Sequence, residues 1–397
     1  MPQTLSITLT HDANNLNALR PEWDSLLESS PADSVFLTWE WLSTWWETYQ
    51  PGRQLWLLLA RDEAGRLIGA APLALCQRSA GPLHWRELLF LSAEEGLGDP
   101  DHIDFPIASG WAEPVIRGFW RELASRRDRW DVLNLTGLRD DSPVPAYASE
   151  LGVEVIREAG EACPFILLPE RWETYMRETL SQDHRKGIGR YGRRLEQELG
   201  GQAVYHEVTG EAELDRMLDT LIAFRRRYAR LNRLPDFFGP PEAVAFHKKL
   251  ARRFLERGWL HAHYLTIAGG IAAWVYDFKY KGTAYGYQTG YDPRWAHYSP
   301  GRLIIAHAIQ TAIEQGLRKY DMLRGDEAYK KGWAKALRTD VNLRVIASPQ
   351  AQAKMRRLEA LRRLWKTIKV ALPSGWRARI RQASATTRAL HTKPPTE

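Results

Sequence analysis

Cysteine is scarce in this chain: Cys76 and Cys163 are the only two among 397 residues. Two thiols cannot build a disulfide framework, and such sparse use fits a reducing compartment. The opening segment MPQTLSITLT has neither the basic nor the apolar stretch of a leader, so the cytoplasm is the expected location. Long apolar runs are missing too. The longest charge-free one, 258–276, holds two histidines and the pair Gly269-Gly270, which reads as a hairpin and not as a membrane span. There is no Walker A loop, no H-E-x-x-H, no paired C-x-x-C and no G-x-S-x-G, which removes the usual signals of a P-loop enzyme, a zinc site or a serine hydrolase. His261 and His263 alternate on one strand without a third ligand at suitable spacing, so no metal is expected.

What the chain does have is length, charge and tryptophan. At ~100–200 residues per domain, its length favours two domains. The net charge is +7 and unevenly spread. From residue 351 onward there are 12 basic residues against Glu359 and Glu397, whereas the first 350 carry 43 basic and 46 acidic ones. A basic pI by itself suggests nucleic acid. A slightly acidic body with a basic tail argues against that for the folded part.

The 17 tryptophans cluster. Thr38 reads as the cap of a helix carrying Trp39, Trp41 and Trp45, the last two at i, i+4 on one face. Apolar runs at 55–60 and 67–75 about a Gly65 turn predict a hairpin, followed by a helix near 115–124 and a strand near 130–135. The same order recurs: a hairpin over 260–276, a helix over 303–315 and a strand over 319–323. The recurrence predicts two related α/β domains, at 1–162 and 163–350, and a basic tail at 351–397.

Three motifs could carry chemistry. Gly187-Ile-Gly189-Arg-Tyr-Gly192 matches G-x-G-x-x-G but follows no buried strand, so the dinucleotide reading fails. Tyr298-Ser299-Pro300-Gly301-Arg302-Leu303 is a helix start with a capping serine, a glycine for close approach and a cation, which suits an anion or marks only the start of a helix. Asp326, Tyr329 and Lys330, at i, i+3, i+4, would share one helical turn, either as a proton-transfer group or as a solvated polar turn.

Taken together, Gly290-Tyr-Asp-Pro, Ser299-Pro-Gly301-Arg-Leu and Tyr320-Asp321-Met-Leu-Arg-Gly325-Asp326-x-x-Tyr329-Lys330-x-x-Trp333 resemble the CelD/BcsL-like acetyltransferase family. This is a branch of the GNAT superfamily associated with polysaccharide and cellulose biosynthesis. Trp39-x-Trp41-x-x-x-Trp45-Trp46, Gly69-Ala-Ala-Pro-Leu73 and the basic helix around His184-Arg185-Lys186 add to the likeness. The resemblance implies an α/β (α+β layered) fold of two tandem GNAT-like domains with mixed central sheets, similar to the Fem-type peptidyltransferases. It implies acetyl-CoA or another acyl-CoA as co-substrate, bound in the second domain at Tyr298, Ser299, Gly301, Arg302 and Leu303. The single glycine departs from the usual donor loop. Acyl transfer would reach an amine or hydroxyl of a sugar or envelope precursor. Asp326 or Asp321 would act as base, Tyr329 as acid and Lys330 as oxyanion contact. Trp39, Trp41, Trp45, His102, Asp104, Arg185, Lys186 and Arg324 would line the acceptor side.

Two other readings belong to different classes. A Fem-like enzyme would take its acyl group from aminoacyl-tRNA, with the basic helix on RNA phosphates. A non-catalytic partner of a membrane polysaccharide synthase would keep the fold alone. The tail spaces Met355, Leu358, Leu361, Leu364, Trp365, Ile368 and Leu372 helically before Pro373, with Trp376 and Ile380 beyond. It fits a helix on an anionic membrane at the inner face of the cytoplasmic membrane, or one packed on the body.

Overall fold

The computed structural model describes residues 4–371. Its strands are β1 (Leu5–Thr10), β2 (Arg53–Asp62), β3 (Leu67–Ala80), β4 (Leu83–Phe90), β5 (Val132–Leu138), β6 (Glu154–Leu167), β7 (Ala203–Glu207), β8 (Leu260–Ile267), β9 (Gly270–Tyr280), β10 (Thr283–Tyr291), β11 (Lys319–Asp321) and β12 (Ala336–Ile346). The helices are α1 (Ala13–Ala18), α2 (Arg20–Ser29), α3 (Trp39–Tyr49), α4 (Ala112–Ser125), α5 (Trp172–Glu178), α6 (Gln182–Leu199), α7 (Glu211–Asn232), α8 (Pro241–Glu256), α9 (Pro300–Glu314) and α10 (Pro349–Ala371). All twelve strands join one mixed sheet in the order β1-β2-β3-β4-β5-β12-β6-β11-β10-β9-β8-β7. Apolar runs without alternation make its middle. Residues 55–60 of β2, 67–76 of β3 and all of β8 are buried, as strands covered by helices on both faces must be.

The predicted recurrence is real. In each half, an antiparallel set (β1–β4, then β7–β10) leads into a helix (α4, then α9) and a strand parallel to the last of the set. β5 lies beside β4 and β11 beside β10. The closing strands are exchanged. β12, last in the chain, pairs with β5 of the first half, while β6 pairs with β11 of the second. β6 and β12 pair antiparallel at the centre, so the two sheets fuse into one. The expected boundary between residues 162 and 163 falls inside β6.

Trp41 sits at the junction of the halves. Its ring meets Phe36 at 4.8 Å, Phe246 of α8 at 5.5 Å, Phe278 of β9 at 6.1 Å and Tyr287 of β10 at 6.0 Å. Tertiary packing accounts for the tryptophan cluster. Trp45 donates its indole N–H to Leu97 O at 2.7 Å, and Trp39 donates to Leu16 O at 2.8 Å. All three are buried and offer no free face to a sugar, which corrects the stacking role expected of them.

α10 starts against the first half: Ala351 and Leu358 are buried, and Lys354 pairs with Asp131 at 3.0 Å. The side chains of Leu364, Trp365 and Ile368, and the whole segment from Leu372 on with Pro373, Trp376 and Ile380, lie outside the described residues. Among the described residues, no helix is long and apolar enough to cross a membrane.

Candidate active site

The sheet opens at one place in the second half. β10 pairs with β11 over three residues only, Thr283–Lys319, Ala284–Tyr320 and Tyr285–Asp321. A bulge between Tyr285 and Gln288 then turns β10 aside, and it continues along β9 to Tyr291. Residues 286–290 are only half buried although they lie near the middle of the sheet. Past Tyr285, β10 pairs with β9 alone, so the two parallel strands part there.

The start of α9 stands at the mouth. A Cβ on Gly301 would come within 2.9 Å of the Tyr291 ring, so only glycine lets the helix start against the end of β10. Ser299 does not cap as expected. It is left-handed (φ 52°, ψ 49°), whereas a capping side chain needs an extended backbone to reach the second or third amide. Its carbonyl instead accepts from the Arg302 and Leu303 amides at 3.0 and 3.2 Å. Leu303 is buried in the core and Tyr298 donates its hydroxyl to Glu198 at 2.9 Å, so both hold the turn in place. Arg302 reaches back over α6. Its guanidinium lies 5.8 Å from the Tyr191 ring centre and presses on Gly187, where any side chain would collide. The glycine motif therefore lies within a helix and makes room for an arginine.

Beside Arg302, the His184 ring packs edge-on against Trp333 at 4.4 Å and fills the space above Gly332. Burial and the Arg302 charge hold this imidazole below its usual range, and its Nε2 is buried without a hydrogen bond. Arg185 is taken up by the Met176 and Arg177 carbonyls, at 3.2 and 2.7 Å, while Lys186 is exposed.

At the splay itself lies a residue that the sequence reading missed. Asp277, on β9, accepts from the Tyr287 amide at the bulge (2.9 Å) and from the Tyr320 hydroxyl of β11. Burial pushes its carboxyl up to about 7, against the opposing effect of these hydrogen bonds. Tyr329, partly exposed, is near enough for its charge to act on Tyr320. The available signal was an acid interrupting the run Ile271-Ala-Ala-Trp-Val-Tyr276-Asp277-Phe278, where every residue is buried.

The predicted helical turn over Asp326, Tyr329 and Lys330 does not form. Only Lys330–Gly332 makes a 3₁₀ turn. Lys330 is buried, with its ammonium on the Leu323 carbonyl (3.3 Å), the Arg324 carbonyl (2.6 Å) and Glu327 (3.0 Å). It pins a turn containing left-handed Leu323 (φ 58°) and Gly325 (φ 118°), and so is not free to meet an oxyanion. Asp326 is exposed.

The remaining expected residues gather at a second, closed cluster on the seam between the halves. His102 places Nε2 3.3 Å from Asp321 Oδ1 and Nδ1 3.1 Å from Asp340 Oδ1. Lys319 pairs with Asp321 at 2.7 Å, and Arg324 with Asp101 at 3.3 Å. Burial opposes a charge on His102, but Asp321 and Asp340 lift it to about 9. Burial would likewise raise Asp321, but His102 and Lys319 hold it far below the usual carboxylate range. A carboxylate so paired is a poor base, which corrects the role expected of Asp321. Arg324 is committed to Asp99 and Asp101. Asp104 accepts from the Phe105 amide and Ser142 at 2.8 and 2.9 Å, and burial pushes it up to about 7. It borders a cavity of about 110 Å³ with Ser30, Gly110 and Arg139. That is below the ~300 Å³ at which ligand pockets begin.

In the first half, the place equivalent to the splay is closed by the chain itself. Ile103 bridges Leu138 alongside β5, and Phe105 packs on Phe90 and Phe119 at 5.5 and 5.8 Å. The open splay thus belongs to the second half.

Residues 182–331 match the family model described as Acetyltransferase (GNAT) domain. Among solved structures, FemX is similar over 87% of this chain and 99% of its own, with 10% identity and a TM-score of 0.60. The C-terminal domain of a putative lysylphosphatidylglycerol synthetase from Agrobacterium fabrum is similar over 87% and 96%, with 9% identity and a TM-score of 0.51. L-PGS from Bacillus licheniformis covers 88% and 97%, at 13% identity and a TM-score of 0.51. No curated protein matches the sequence. At these identities the structures speak for fold alone. The chain is a tandem GNAT-like α/β protein, and its second half carries the fold of a GNAT-type acyltransferase.

Proposed function

We propose that the protein transfers an acyl group, of acetyl size, from acyl-CoA to an amine or hydroxyl of a sugar or envelope precursor, as a CelD/BcsL-like enzyme. The observation that carries this reading is the β10–β11 splay with the α9 start at its mouth, inside the matched region. The donor pyrophosphate would lie on the Gly301 amide, which the Ser299 carbonyl does not take, with Arg302 as counter-charge. The acyl thioester would lie along β10 beyond the bulge, where backbone amides other than those of Tyr287 and Gln288, which Asp277 holds, would donate to the oxyanion. The acceptor nitrogen or oxygen attacks the thioester carbonyl and the C–S bond breaks. The acceptor proton passes by way of Tyr320 to Asp277, and the leaving thiolate takes a proton from Tyr329. The exposed cations Lys186, Arg190 and Arg193 of α6 would attract an anionic acceptor.

A second reading has an observation in its favour. FemX, the C-terminal domain of the putative lysylphosphatidylglycerol synthetase and L-PGS share the fold. The exposed arginines of α6, with Arg226, Arg227 and Arg230 of α7, would suit the phosphates of an aminoacyl-tRNA donor. Calorimetric titration with acetyl-CoA separates the two. Saturable binding weakened by Arg302→Ala supports the CoA donor. No CoA binding together with salt-sensitive tRNA binding overturns it in favour of RNA.

A further inference from the structure

The seam cluster holds more than an ion pair. His102 Nδ1, Cys163 Sγ and a carboxylate oxygen of Asp340 all lie within 4.8 Å of one another and are buried. They come from three segments, the 101–104 loop of the first half, β6 and β12, and the last two are the exchanged strands of the fused sheet. We infer that His102, Cys163 and Asp340 form a structural binding site for a zinc-class divalent cation that staples the two halves together.

The spacing is that of ligands around such an ion. Zinc bonds of ~2.3 Å to sulfur and ~2.0–2.2 Å to nitrogen and oxygen, set tetrahedrally, put N and O about 3.3 Å apart and S and O about 3.5 Å apart. The structure has 3.1 Å from His102 Nδ1 to Asp340 Oδ1 and 3.6 Å from Cys163 Sγ to the other oxygen, Oδ2, so Asp340 would face the ion with both oxygens of its carboxylate. The outer partner is in place as well. A ligating imidazole commonly donates its other N–H to a carboxylate, and His102 Nε2 faces Asp321 Oδ1 at 3.3 Å, itself fixed by Lys319 and the Leu323 amide. Asp101 is held by Arg324, through Oδ1 at 3.3 Å and by the Arg324 amide on Oδ2 at 2.9 Å, so the protein ligands are the three named.

Binding is an exchange of protons for the ion: one M²⁺ enters, and the Cys163 thiol proton leaves to solvent together with any proton that His102 carries on Nδ1. Nothing is oxidised or reduced.

The test uses the full chain, purified after growth with Zn²⁺ and separately refolded with Co²⁺. About one Zn²⁺ per chain should survive dialysis, and loading should release protons, the Cys163 thiol proton among them. The Co²⁺ form should show a near-ultraviolet thiolate-to-cobalt band that Cys163→Ser removes and Cys76→Ser keeps. If Cys163→Ser does not fold, Asp321→Asn serves instead and should weaken retention about 10–100-fold. Folded wild-type protein that keeps no Zn²⁺, or cobalt bound without a thiolate band, overturns the site. Neither result bears on acetyl-CoA binding at the splay, which stands or falls by the calorimetric titration.

Discussion

Tyr320 on β11 reaches Asp277 on β9 across the strand that separates them. Gly286 makes this possible: it sits at the β10 bulge, and a Cβ there would stand 3.2 Å from the Tyr320 ring. The result is a buried carboxyl whose burial raises it to about 7, next to the place where β10 leaves β11.

As a general base, Asp277 must be ionised, so kcat/KM should rise with pH through about 7 and level off above it. Asp277→Asn should lower kcat by about 10²–10⁴-fold and remove that limb of the profile. A variant that keeps both the rate and the limb would take Asp277 out of the mechanism. Gly286→Val tests the same contact from the other side, because its side chain presses on the Tyr320 ring and parts it from Asp277 while both residues stay unchanged. It should lower kcat more than it raises KM for the donor.

The seam histidine predicts an opposite trend, in stability. In metal-free protein the folded state holds His102 at about 9, above its ordinary 6.5. The stabilisation is therefore full below pH ~6.5 and fades as pH rises through ~9, amounting to about 3 kcal/mol for a shift of this size. Urea midpoints should fall across that window in the wild type and stay level in His102→Gln. A flat wild-type profile would mean that His102 is neutral between its two acids.

Trp41 is enclosed by aromatic rings from both halves, so Trp41→Ala should cost about 3–5 kcal/mol. The remaining folded protein should bind acetyl-CoA as the wild type does, because the buried ring packs on Phe36, Phe246, Phe278 and Tyr287 and not on the α9 start. A large loss of acceptor affinity at unchanged stability would restore the sugar-stacking role.

The fold was legible because its signals are local. Unbroken apolar runs such as 260–267, a Gly-Gly turn and a helix opening at Ser299-Pro300 can each be read within a dozen residues. The recurrence of that succession gave the two halves. The exchange of β6 and β12 left no local trace, since which strand closes which sheet depends on pairing between residues about 180 apart, such as Val341 with Ala159. The site was harder for the same reason. The Gly301-Arg302 start was visible, but Lys330 looked catalytic because its spacing fits a helix, and a left-handed turn at Leu323 replaced that helix. His102, Cys163 and Asp340 have no common motif, and only the folded seam brings them together.

That difference between visible spacing and actual placement separates three variants. Arg302 stands at the α9 start with its guanidinium over Tyr191, so Arg302→Ala should weaken acyl-CoA binding about tenfold, less at high salt, with little change in stability. Lys330 holds two carbonyls and Glu327 in a buried turn, so Lys330→Met should cost about 1–3 kcal/mol by leaving those acceptors unpaired. Its effect on turnover should follow the loss of folded protein. Asp326 is exposed, so Asp326→Ala should leave both melting temperature and kcat near wild type. Thermal melts beside steady-state kinetics distinguish the cases. A well-folded Lys330→Met with kcat reduced a hundredfold would return Lys330 to the chemistry, and a comparable loss in Asp326→Ala would move the base from Asp277 to the surface loop.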